Sequence, residues 1–252
     1  MKKNKAVVWF SCGASSAVAG KLAVDTYGDE VDLVYCDTGG EHESNKQFLL
    51  DCQEWYGKEI IILKNEKYED HFDVVRKTRF VNGPHGARCT TELKQKMREK
   101  AQYCESINIY GYTIEETERA KKFEDRNMDL LFDWILIKHK ITKPDCLGII
   151  WQQGIKLPIM YELGYDHNNC IGCVKGGKGY WNRIRKDFPD HFNRMAKIER
   201  EIGATCLKEV NGDKIYLDTL DPNRGNFKSE EPISCGIDCL ETLALFEERK
   251  ER

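Results

Sequence analysis

Two cysteines separated by two residues, Cys170 and Cys173, stand between Asn169 and the glycine-rich run Lys175-Gly176-Gly177-Lys178-Gly179. That spacing brings two thiolates onto one metal centre, and the glycines let backbone approach sulfur. Roughly eighty residues earlier, Cys89 follows Arg88 at the start of a predicted helix. There the cation and the helix N-terminus would acidify a thiol. Cys235 and Cys239 form a further pair late in the chain. Four thiolates drawn from these five positions would hold zinc or an iron–sulfur cluster. A redox-active dithiol is the other chemistry they support, and incidental thiols are the plain alternative. Cys36, Cys52, Cys104 and Cys146 lie in apolar or amphipathic segments and read as small core residues.

A second set of residues suits phosphate. The apolar run Ala6-Val7-Val8-Trp9-Phe10 enters the small-residue turn Ser11-Cys12-Gly13-Ala14-Ser15-Ser16, and a helix is expected over 17–27. Backbone N–H groups and hydroxyls at a helix N-terminus point at an anion that the helix dipole favours. The turn lacks the Lys-Ser or Lys-Thr pair of a Walker A loop and the spacing of a dinucleotide fingerprint. A tight turn that binds nothing is the alternative. Further on, Gly111 precedes Glu115, Glu116 and Arg119, which would stand at the mouth of a sheet. Thr113 and Glu116 also form a capping box, the mark of an ordinary solvated helix start. Lys175, Lys178, Arg183, Arg185 and Lys186 interleave with Tyr180 and Trp181. That cluster suits a phosphate-bearing substrate or a nucleic acid, and equally a solvated patch.

The elements that must position these residues alternate. Strands are expected over 6–10, 31–36, 59–63 and 106–111, and helices over 17–27, 44–56, 69–77 and 92–103. Such alternation requires a parallel α/β sheet with right-handed crossovers, and ligands collect beyond the carboxyl ends of its strands. The turns 11–16, 37–41 and 112–116 all fall there. After about residue 130 the pattern changes to short helices over 130–138, 143–153 and 158–163. A charged helix over 189–202, a hairpin around Asn211-Gly212 and a closing helix over 240–250 follow. The expected division is a core over 1–130 and a helical, cysteine-containing extension over 131–252.

Composition narrows the function. The 252 residues carry 39 Lys plus Arg against 42 Asp plus Glu, a net charge of −3, which argues against a general polyanion binder. Eleven cysteines, an odd number, fit a closed disulfide framework poorly and suit a reducing compartment. No apolar stretch approaches a membrane span, and the run at 6–10 is too short for a signal peptide. A cytoplasmic location without membrane contact is expected.

Several of these segments, in order, resemble the phosphoadenosine phosphosulfate (PAPS) reductase-like group of the PP-loop, adenine-nucleotide alpha hydrolase superfamily. They are the turn Ser11 to Ser16, Asp37-Thr38-Gly39, Arg88-Cys89-Thr90-Thr91-Glu92-Leu93-Lys94, and Gly111 with Glu115-Glu116-Thr117-x-Arg119. Leu157-Pro158-x-Met160-Tyr161-x-Leu163-Gly164-Tyr165, running into Cys170-x-x-Cys173, completes the set. The resemblance implies a Rossmann-like, HUP-type sheet. It implies adenine-nucleotide binding at Ser11, Cys12, Gly13, Ala14, Ser15 and Ser16, with Asp37, Thr38, Gly39, Gly111 and Arg119 nearby.

Members of the group are sulfonucleotide reductases or ATP pyrophosphatases that activate a substrate for sulfur insertion, and several carry a [4Fe–4S] cluster. For this chain the resemblance implies ligands at Cys89, Cys170, Cys173 and one of Cys235 or Cys239, with zinc as the alternative and Mg²⁺ accompanying ATP. Asp37 and Arg119 would act in catalysis, and Cys235 would be the nucleophile of a reductase. The implied ligands are ATP, APS or PAPS, with a nucleic acid as a candidate acceptor and a thioredoxin-like protein as a candidate reductant. Assembly as a homo-oligomer stays open, as does a non-catalytic zinc-containing interaction module. The chain departs from the group at several positions: Thr90 stands where APS-reducing relatives have a second tandem cysteine, Cys12 and Ser15 where pyrophosphatase loops have glycine and aspartate, and Ser234-Cys235-Gly236-Ile237-Asp238 only partly matches the Glu-Cys-Gly-Leu-His of reductases.

Overall fold

The computed structural model describes residues 5–83, 86–101, 103, 105–231 and 233. In chain order the strands are β1 (Ala6–Phe10), β2 (Val31–Asp37), β3 (Ile60–Lys64), β4 (Asn82–Gly83), β5 (Gly86–Ala87), β6 (Ile107–Ile109), β7 (Leu131–Asp133), β8 (Leu207–Lys208) and β9 (Lys214–Ile215). The first helices are α1 (Ala14–Tyr27), α2 (Ser44–Tyr56), α3 (His71–Thr78), α4 (Arg88–Thr90), α5 (Lys96–Ala101) and α6 (Thr117–Asp125). Then come α7 (Ile135–Lys138), α8 (Lys143–Gln152), α9 (Ile159–Glu162), α10 (Lys178–Asp187) and α11 (Pro189–Ile202). The chain divides into two compact units: Met1–Asp37, His42–Lys64 and Lys96–Asn168 form one, and Thr38–Glu41, Asn65–Gln95 and Asn169–Arg252 the other.

The first unit is an α/β fold whose five parallel strands run in the order β3-β2-β1-β6-β7. Counted along this sheet alone, the order is 3-2-1-4-5, the Rossmann arrangement. Central β1 is buried along its whole length, which explains an apolar run without alternation. Val8, Phe10, Leu33, Phe48, Ile109, Leu136 and Ile150 share one core. The expected sheet and the helix over 44–56 are observed. One expectation is corrected: residues 131–133 form an edge strand beside β6, with Ile107 opposite Leu131, and only 135–138 are helical. Three residues are too few to display a strand's period, so pairing with β6 decides the conformation.

The second unit packs α11 against α10 and α3, and α3 against α4. Fully buried Trp181 meets Phe192 edge-on at 6.2 Å. Asp70 caps α3 by accepting from Asp73 N at 2.8 Å, and it also pairs with Arg194. Replacing Asp70 with alanine removes both interactions and should cost about 1–2 kcal/mol, read as a lower denaturant midpoint. The Asn211-Gly212 hairpin is present between β8 and β9. The helix expected over 240–250 lies outside the described residues. Among the described residues no helix is long and apolar enough to cross a membrane.

Candidate functional site

In the first unit the chain leaves β1 at Phe10 and enters α1 at Ala14, so only three residues make the turn. Helix α1 thus begins earlier than the sequence suggests, with Gly13 as its N-cap. Cys12 takes φ = +55°, the left-handed region that glycine occupies without strain. Its buried side chain faces the Asn45 carbonyl, with S···O 3.9 Å, and its own carbonyl accepts from Asn168 Nδ2 at 2.7 Å. The same Nδ2 donates to Asn45 Oδ1 at 2.9 Å. Ser16 ties the turn from within: its hydroxyl accepts from Ser11 N (3.1 Å) and Gly13 N (3.3 Å) and donates to Gly13 O (2.9 Å). Ala14 N donates to the Tyr161 hydroxyl at 3.2 Å.

Gly111 lies against the start of α1, where a Cβ would stand 2.5 Å from Ser16 N. The first turn of α1 carries no acidic side chain, so the positive end of its dipole is left for an anion. Ser11 is exposed and Ser15 half-buried, whereas Ser16 is buried and shapes the turn. Replacing Asn168 with alanine leaves the Cys12 carbonyl without this donor. The expected cost is about 1–2 kcal/mol, read as a lower denaturant midpoint.

Asp37 closes β2, 3.9 Å from Lys64. Arg119 donates to Glu116 Oε1 at 2.6 Å and lies over the Tyr112 ring at 4.6 Å. The Thr113–Glu116 capping box is present and fixes that glutamate. Burial, reinforced by the Lys143 and Arg119 charges, pushes the His167 imidazole down to about 4. Cations and a neutral histidine therefore gather in the unit that carries the turn.

The second unit holds the thiols. Thr38 Oγ1 and Cys170 Sγ share a hydrogen bond at 3.2 Å, and Ile171 N donates to Gly40 O at 2.8 Å. The Tyr180 hydroxyl accepts from Gly172 N (3.1 Å) and Cys173 N (2.9 Å), closing the Cys-x-x-Cys turn. Gly39 has φ = +64°, and a Cβ there would fall 2.0 Å from Glu69 O, so the segment after Asp37 requires glycine. Cys89 is buried in α4. The neighbouring Arg88 guanidinium is paired with Glu92 at 2.9 Å. Residues 91–95 form a single π turn directly after Cys89.

Cys89, Cys170 and Cys173 are thus in one unit, and none is in a disulfide. Among the described residues no three His, Cys, Asp or Glu side chains converge as the donors of a single ion. An iron–sulfur cluster places each thiolate on a different iron, so its sulfurs stand farther apart than the donors of one ion. Cys89, Cys170 and Cys173 are buried in that unit, and thiols are soft donors. Cys235 and Cys239 lie outside the described residues. Ile233, the last residue described, accepts a hydrogen bond from Asn169 Nδ2 at 3.0 Å.

Cys36, Cys52 and Cys146 are buried as expected of core residues, while Cys104 lies outside the described residues. Burial pushes the Cys52 thiol up to about 12 and Cys146 up to about 11, which keeps both protonated. The basic cluster is not a base-stacking surface. Tyr180 and Trp181 are buried, Arg185 donates to the Leu217 and Leu220 carbonyls, and Lys178 pairs with Glu209 at 3.0 Å. Sequence reasoning missed Asn45, Tyr161 and Asn168 as supports of the turn, and it passed over Cys206. Tyr161 lies within a motif of the resemblance and Asn168 just after it. Their roles rest on contacts across about 150 residues, which no spacing displays.

The open parallel sheet, with a tight strand-to-helix turn at the end of its first strand, defines a Rossmann-like α/β protein. No family model matches the chain. It is similar to two uncharacterized proteins of Methanocaldococcus jannaschii. One is 25% identical over 213 residues, 79% of this chain and 42% of the relative. The other is 20% identical over 210 residues, 80% of this chain and 49% of the relative. The chain therefore spans less than half the length of these curated relatives. Among solved structures it is similar to phosphoadenylyl-sulfate (PAPS) reductase from Candida auris in a phosphate complex. That match has a TM-score of 0.47 and 13% identity, covering 68% of this chain and 82% of that one.

Proposed function

We propose that the chain is a PP-loop enzyme of sulfur chemistry, binding ATP or a sulfonucleotide at the turn between β1 and α1 and activating a substrate by adenylation for sulfur transfer. One observation carries the reading. Asn168 latches the Cys12 carbonyl in the first unit, and two residues later Cys170 bonds to Thr38 in the second.

In this reading the turn and the α1 dipole hold phosphoryl oxygens, and Arg119, oriented by Glu116, adds a cation as charge develops. Asp37 stands at the carboxyl end of β2 to orient the nucleotide. An acceptor oxygen attacks the α-phosphorus and pyrophosphate leaves. A sulfur nucleophile then displaces AMP from the activated acceptor. Cys89, Cys170 and Cys173 would hold three irons of a [4Fe–4S] cluster, whose fourth iron would take Cys235 or Cys239 or stay open as a site for sulfide.

A second reading, sulfonucleotide reduction, is favoured by one observation: the first turn of α1 lacks any carboxylate, Ser15 standing where a Mg²⁺ ligand would serve ATP. There Cys235 attacks the sulfur of APS or PAPS, the nucleotide leaves, and a dithiol protein releases sulfite from the thiosulfonate. Anaerobic protein titrated calorimetrically with ATP, APS and PAPS tests both readings. Pyrophosphate release from ATP supports the first, and thiol-dependent sulfite release supports the second. If none of the three nucleotides binds, both are wrong.

A further inference from the structure

The glycines that follow Cys173 meet no sulfur. A Cβ at Gly176 would fall 2.0 Å from the Tyr180 ring, one at Gly177 2.6 Å from the Glu230 carboxyl carbon, and one at Gly179 2.4 Å from Phe227 N. Gly225, at φ = +89°, completes the fit, since its Cβ would stand 2.2 Å from Gly179 N. Residues 225–230 therefore cross the glycine run as a strap over the start of α10. Several side chains pin that strap. Asn182 Nδ2 donates to Asp221 O (2.9 Å) and Arg224 O (2.7 Å), and Arg224 pairs with Glu209. The Arg183 guanidinium lies 4.8 Å from the centre of the Phe227 ring. Glu230 Oε1 accepts from Gly179 N at 2.6 Å and its Oε2 from Tyr180 N at 2.9 Å. The carboxylate thus closes the N-terminus of α10, where charge and dipole match. Three residues on, Ile233 O accepts from Asn169, the residue before Cys170.

Tyr180 carries this contact inward. Its buried hydroxyl accepts from Gly172 N (3.1 Å) and Cys173 N (2.9 Å) and donates to Cys170 O at 3.3 Å. One residue therefore has its backbone held by Glu230 and its side chain on three backbone groups of the Cys-x-x-Cys turn. We infer that Glu230 is a positioning residue for Cys170 and Cys173: its carboxylate fixes Tyr180, and Tyr180 fixes the turn that carries both thiols. The inference rests on the proposed function for what those thiols do, and on these hydrogen bonds for how they are held.

The test measures amide hydrogen exchange at Gly172 and Cys173 in the full chain and in its Glu230→Ala, Asn182→Ala and Tyr180→Phe variants, with the Glu230→Ala/Tyr180→Phe double variant. Glu230→Ala should speed exchange about 10-fold or more, since two hydrogen bonds to a charged group are lost. Asn182→Ala loosens the strap away from Tyr180 and should exchange as the parent does. Tyr180→Phe should exchange at least as fast as Glu230→Ala, and the double variant no faster than Tyr180→Phe, because the two groups act in series. Added acetate should slow exchange in Glu230→Ala by seating a carboxylate on the same amides, and should leave Tyr180→Phe unchanged. A general loss of stability would not respond in that way. Exchange at the parent's rate in Glu230→Ala, or a double variant in which the two effects multiply, overturns the assignment. Should the variants not fold, the parent gives the answer: the Gly172, Cys173 and Tyr180 amides should open in one event with equal protection, and unrelated protection overturns it. No nucleotide or cluster enters these measurements. A parent that binds no nucleotide while the exchange pattern holds sinks the proposed function and leaves the positioning role standing.

Discussion

Gly111→Ala is expected to cost about 3 kcal/mol or more and, on the proposed function, to weaken adenine-nucleotide binding, because the added methyl meets backbone that cannot yield. Its Cβ would stand 2.5 Å from Ser16 N, 2.7 Å from Ser16 Cα and 2.8 Å from the Ser15 carbonyl carbon. Those atoms belong to the first turn of α1, and Ser16 Oγ in turn holds Ser11 N and Gly13 N. Moving Ser16 therefore moves the turn. A flexible side chain would swing aside at small cost, but here either α1 shifts or the segment after β6 lifts away. Denaturant midpoints and calorimetric titration of the same preparation separate the two effects. A variant with the parent's midpoint and affinity would mean that the close packing of Gly111 on α1 is absent in solution.

Acid should destabilise the protein through two histidines. Burial, the largest cause for each, pushes His71 and His167 down to about 4 from the ordinary 6.5. The two lie in different units. His71 Nε2 is 3.4 Å from Gly172 O and its Nδ1 is buried without a partner, so a second proton would find no acceptor. Both imidazoles are neutral in the folded state, whereas the unfolded chain takes up a proton on each below about 6.5. Their contribution is fully present above that pH and is lost as pH falls toward 4, on the order of 3 kcal/mol for each. Glu199 acts in the opposite sense. Burial raises its carboxyl to about 7, so its contribution is greatest in acid and lost as pH rises through neutrality. The histidine effect is therefore read as a difference. His167→Asn should flatten the fall in denaturant midpoint between about pH 7 and pH 4 relative to the parent, and identical slopes would show that His167 titrates normally.

Much of the frame is legible in the residues. The apolar run at 6–10 and the helices at 44–56 and 189–202 follow from burial pattern and periodicity, and the Asn211-Gly212 turn from local chemistry. The short strand at 131–133 is not legible, because its conformation is decided by a neighbour at the sheet edge. Helix α10 is hidden as well, since it opens at the end of a glycine-rich run. The site divides the same way. That Cys12 and Ser15 depart from the resembled pattern is visible at once. That Cys12 then holds a left-handed backbone, steadied by Asn45 and Asn168, depends on contacts that only folding creates.

Both units are woven from separated stretches of sequence, which bears on how the protein is made. Central β1 must wait for β6, since Ala6 pairs with Ile107. Asn168, which latches the turn beyond β1, is later still. A nascent chain emerging from the ribosome would hold β1 half-paired until β6, some hundred residues later, had been synthesised. Closure over such sequence separations is slow, and an unpaired apolar strand invites aggregation meanwhile. Yield in a heterologous host should therefore respond to temperature and chaperone supply more than to the surface composition of the finished molecule.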